Sequence, residues 1–60
     1  MKEEQTVEEV HEDIDAVANM LKRAKEFGLE VEVVWSFGNS VRSGKDHETA
    51  AAEALYEWDI

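Results

Sequence analysis

The 60 residues carry 15 acidic against 6 basic side chains, a net charge of −9, and no cysteine. Disulfides and thiolate metal sites are therefore excluded, and no apolar run approaches the roughly 18 residues that cross a bilayer as a helix. The acid excess repels phosphate backbones and anionic lipid, so direct nucleic-acid or membrane binding is disfavoured and basic proteins become the favoured partners.

A chain this short makes one domain, 1–60, and buries only about 60% of the surface its unfolded form exposes. Without disulfides, it depends on close helix packing or on oligomerisation. Hydrophobic residues make up 43% of the chain and fall in periodic order, which separates it from disordered acidic chains. No secretory leader opens the sequence, so a soluble, cytoplasmic protein is expected.

Residues 1–5 are charged and aperiodic and are expected to form a flexible lead. Thr6-Val7-Glu8-Glu9 then reads as a capping box, with the Thr6 hydroxyl and the Glu9 carboxylate each satisfying the other's amide. Val7, Val10, Ile14, Val17, Leu21 and Ala24 follow at alternating steps of three and four. That is the a/d seam of a helix that packs lengthwise on a neighbour. Acids crowd the start of this helix and Lys22, Arg23 and Lys25 crowd its end, as the helix dipole favours. Gly28 suits a left-handed C-terminal cap, with Leu29 folding back on Ala24. A helix over 6–27 is expected.

Residues 29–43 admit two readings. Leu29, Val31, Val33, Trp35 and Phe37 alternate as in a strand, and Gly38-Asn39 could close a hairpin onto Ser40-Val41-Arg42-Ser43. That return strand would set Ser40 and Arg42 against the aromatics, and an isolated hairpin is marginal in water. As a helix, Glu32, Ser36, Asn39 and Ser43 form a polar stripe, with Val33, Val34, Phe37 and Val41 opposite. The helix is the preferred reading, despite residues of poor helix propensity.

Gly44 suits a second glycine cap, and Asp46 is a good N-cap for a third helix. Ala50, Ala51, Ala54, Leu55 and Trp58 would form its apolar face, with Tyr56 at the margin. The expected fold class is all-α: a three-helix bundle, one helix long and two short, completed by dimerisation along the seam. The alternative is α+β, with a central hairpin between two helices.

Several side chains invite a chemical reading. Glu8-x-x-His11 has the spacing of carboxylate-bridged di-metal bundles, and Asp15 lies nearby, so Glu8, His11 and Asp15 are a weak metal candidate. Such sites draw further glutamates from other helices, and none is placed to help here. His47 beside Asp46 reads as a surface histidine of a first turn. Ser36, Ser40 and Ser43 have no base and orienting carboxylate around them, so no catalytic residue, enzyme activity or cofactor is assigned. Trp35, Phe37, Tyr56 and Trp58 are needed to fill so small a core, and any left exposed would mark an interface. The acidic patch Glu8, Glu9, Glu12, Asp13 and Asp15 reads first as a solvated face and second as a mimic of a phosphate array.

The segment Glu32-Val33-Val34-Trp35-Ser36 and the tail Ala54-Leu55-Tyr56-Glu57-Trp58-Asp59-Ile60 resemble small phage-encoded helical proteins of unknown role. In those, an E-V-V-W-S-type helix precedes a capped helix ending in E-W-D. The resemblance covers the second half of the chain and implies a short helical accessory protein, with no catalytic residue carried over. Gly38-Asn39 inside the second helix departs from that pattern.

Together these features lead to a small acidic non-enzymatic protein that acts through protein–protein contacts as a homodimer. A nucleic-acid-mimicking inhibitor of a basic host protein and a metal-binding helical bundle are the alternatives.

Overall fold

The computed structural model describes residues 6–60; the lead expected over 1–5 lies outside them. Three helices follow in order, α1 (Val7–Phe27), α2 (Glu30–Arg42) and α3 (His47–Glu57), with no strand among the described residues.

Each helix start is set by local chemistry. Thr6 Oγ1 accepts from the Glu9 amide at 3.1 Å, and the Thr6 amide donates to Glu9 Oε1 at 2.9 Å, closing the capping box. Asp46 accepts from the Thr49 amide at 3.3 Å and starts α3. Only α2 begins without a side-chain cap, because Leu29 is committed to the α1 ending. There the Leu29 amide donates to the Ala24 carbonyl at 2.8 Å and the Gly28 amide to that of Lys25 at 3.2 Å, with Gly28 left-handed at φ 68°. This is a Schellman ending, and it turns Leu29 onto the core. Lys45 to Ser40 and Gly44 to Val41 repeat the pattern after α2.

A third such ending closes α3, where glycine is absent. Ile60 donates to Leu55 and Asp59 to Tyr56, both at 3.1 Å, and Asp59 takes the left-handed position at φ 58°. The motif folds Ile60 back against the core.

The core is thin and rich in alanine. Met20 and Ala24 of α1, Val33 of α2, and Ala51 and Ala54 of α3 form its buried cluster, edged by Ala16, Val17, Leu29, Phe37, Leu55 and Ile60. Alanines let the short helices approach closely; Met20 and Val33 are its largest fully buried side chains.

Two expectations about faces need correction. Along α1 the line that packs inside the chain runs through Ala16, Val17, Met20 and Ala24, turned to one side of the a/d seam. Of the seam, Ala24 is buried and Val17 half-buried, while Val7, Val10, Ile14 and Leu21 face outward. Two causes act: the inward line is rotated off the seam, so Leu21 faces out between the buried Met20 and Ala24, and α1 outruns its neighbours. α1 has 21 residues against 13 and 11 in its neighbours, about 32 Å of rod against at most about 20 Å of cover at 1.5 Å per residue.

On α2, Ser36 of the expected polar stripe turns inward and is half-buried, as is Ser40 beside it, while Val31, Val34 and Trp35 are exposed. The indole of Trp58, the C-cap of α3, donates its Nε1–H to Ser36 Oγ at 2.9 Å, so Ser36 is held against the neighbouring helix end instead of in solvent.

Candidate interaction surface

Two open apolar faces result from this packing. On α1, Val10, Ile14, Val17, Ala18 and Leu21 line an open groove of about 470 Å³, with Asp13 and His47 at its edge. His47, the first residue of α3, docks there: its Nδ1 lies 3.8 Å from Asp13 Oδ2, and its ring leans on Phe37 with centroids 6.0 Å apart. The pair is partly exposed, so its contribution is positional more than energetic.

On α2, Val31, Val34, Trp35 and Gly38 line a second open groove of about 550 Å³, flanked by Glu30, Asn39 and Arg42. Val31, Trp35, Gly38 and Arg42 recur at four, three and four residues, which places them on one line of the helix. The polar stripe expected through Ser36 and Asn39 leaves out this outward apolar line. The spacing of a valine, a tryptophan and a glycine was the available signal.

The four candidate aromatics divide. Trp35 and Tyr56 are exposed, Phe37 is half-buried against His47, and Trp58 is tied to Ser36. Trp35 alone of these lies on one of the two apolar grooves.

The remaining candidates remain dispersed. Glu8, Glu12 and Asp15 stand in solvent, Glu9 is engaged in the capping box, and Asp13 is half-buried beside His47. Glu8, His11 and Asp15 are all exposed on α1. Among the described residues no three His, Asp or Glu side chains gather as metal ligands. Ser36 accepts from Trp58, and Ser43 Oγ donates to the Asn39 carbonyl at 2.7 Å, so both hydroxyls serve local structure. Hydrogen bonds from Thr49, its side chain first and then its amide, hold the Asp46 carboxyl below its usual range. Lys45 Nζ pairs with Glu53 Oε1 at 2.7 Å across an exposed surface.

No family model, curated protein or solved structure matches the chain. Its surface is therefore what bears on its role. No helix among the described residues is long and apolar enough to cross a membrane.

Proposed function

We propose that the chain is a small acidic, non-enzymatic accessory protein of the phage type its tail resembles, acting through protein–protein contacts as a homodimer. The open α1 seam carries the reading. Val7, Val10, Ile14 and Leu21 are 74, 39, 57 and 42% exposed although they keep the repeat by which one helix lies along another.

The magnitudes favour a weak, concentration-dependent pair. Those exposures amount to about two whole aliphatic side chains per copy, so covering both copies contributes about 6–12 kcal/mol. Association itself costs about 4–15 kcal/mol. An antiparallel arrangement adds to the gain, since it brings Lys22 and Arg23 of one copy toward the acidic first half of the other. Equilibrium sedimentation over a wide concentration range is the test. A chain that stays monomeric into the high micromolar range overturns the proposal.

A further inference from the structure

We infer that the outer face of α2 is a second self-contact, in which two copies pack antiparallel and each seats Trp35 over the other's Gly38. The inference starts from a glycine that nothing within the chain requires. Gly38 lies in the middle of α2, where glycine weakens a helix relative to alanine. Its φ is not positive, and a Cβ built on it would meet nothing within 4 Å. Neither a turn nor a close intramolecular neighbour therefore explains it. The remaining structural use of a helical glycine is a bare patch of backbone where another group must come close.

The face around Gly38 is complementary to itself. In a two-fold contact each residue i meets j while j meets i. Place the axis between residues 36 and 37, and the stripe pairs end for end: Trp35 falls opposite the second copy's Gly38, and Val31 opposite its Arg42. Trp35 is 72% exposed, a flat indole beside a notch that lacks a side chain. Val34 flanks the same groove on each copy. The groove's charged residues, Glu30 and Arg42, stand at opposite ends of α2, so the antiparallel arrangement brings each Arg42 to the end where the other copy's Glu30 stands. Its stem can cover Val31 while its guanidinium reaches the carboxylate. On a chain of net charge −9, this groove is lined by one acid and one base, which makes it a place where two copies can meet without opposing charge.

This contact is separate from the α1 seam and does not rest on it. With both occupied, the closed assembly is a dimer of dimers. The experiment reads the two apart by equilibrium sedimentation of four chains: wild type, Ile14→Lys on the seam, and Ile14→Lys combined with Gly38→Gln or with Trp35→Ala. Glutamine favours the helix and fills the notch, so the Gly38→Gln chain should melt at a higher temperature than its parent while its self-association weakens at least tenfold. Trp35→Ala should weaken it by a similar factor. The expected pattern is a tetramer for wild type, a dimer for Ile14→Lys, and monomers for both double variants. If Ile14→Lys is already monomeric while wild type is dimeric, the seam contact stands and the α2 contact is overturned. If Ile14→Lys is dimeric but unaffected by either α2 substitution, the pairing of Trp35 with Gly38 is overturned. A monomeric wild type overturns both contacts.

Discussion

Ile14→Lys separates what holds one chain folded from what holds two together. Ile14 is 57% exposed and is not among the residues that pack against the core cluster. Replacing it should therefore change the stability of the isolated chain by no more than about 0.5 kcal/mol, as for other surface positions. In the proposed dimer the exposed part of Ile14 is covered in both copies. Its removal from both forfeits about 2–3 kcal/mol of apolar burial, and two facing ammonium groups add to the loss. At about 1.4 kcal/mol per tenfold change, the dissociation constant should rise about 30- to 100-fold or more. Sedimentation supplies the constant, and circular dichroism at a concentration where both chains are monomeric supplies helix content and melting temperature. A variant that unfolds where wild type is folded refutes the reasoning, because Ile14 would then belong to the chain's own core.

Met20→Ala should do the opposite. Met20 is fully buried among the core residues, and its truncation costs about 2–5 kcal/mol of a total that for 60 residues is about 3–9 kcal/mol; chemical denaturation should show loss of most of the folded population. Asp59→Gly should stabilise by about 0.5–1 kcal/mol, since the left-handed position at φ 58° favours glycine and the acid opposes the dipole at a helix C-terminus; a lowered melting temperature would refute this. Asp46 reports on pH. Its folded pKa is lowered, so its ionised form stabilises the fold above the ordinary carboxylate pKa, and that contribution is lost as pH falls through the lowered value. Asp46→Asn keeps a capping side chain and does not titrate, so the advantage of wild type over the variant should shrink as acid is added below the usual carboxylate range. A difference in denaturation midpoint that is independent of pH would refute the assignment.

The local endings were legible because each depends on a few adjacent residues. Thr6 and Glu9, Gly28 and Leu29, Gly44, and Asp46 are short-range signals, and the structure uses each of them. Helix over hairpin for 29–43 was legible in the poor return strand and in the helical spacing of Val33 and Phe37, although the polar stripe that supported it places Ser36 inside. Which side of each helix faces inward depends on neighbours far away in sequence. A heptad along α1 states that a stripe will be covered without saying by what, and the intramolecular line settled on Met20 and Ala16 instead. The inward turn of Ser36 depended on Trp58, 22 residues later. Asp59 gave no advance sign of a left-handed cap, because the usual glycine is missing and the acid reads as ordinary surface.

The net charge of −9 makes salt the variable that separates self-association from the decoy alternative. Two such charges about 20 Å apart repel by about 17 kcal/mol in unscreened water, falling to about 2 kcal/mol at 0.1 M salt, where the Debye length is about 10 Å. That change of about 15 kcal/mol exceeds the apolar drive of about 6–12 kcal/mol along the seam. Self-association should therefore tighten as salt is raised, up to the point where repulsion is screened. Binding of a basic protein to Glu8, Glu12 and Asp15 should loosen over the same range, because attraction is then what salt removes. Sedimentation at several ionic strengths reads the sign directly. Self-association that weakens on adding salt would mean that contacts between opposite charges, rather than the apolar faces of α1 and α2, hold the copies together.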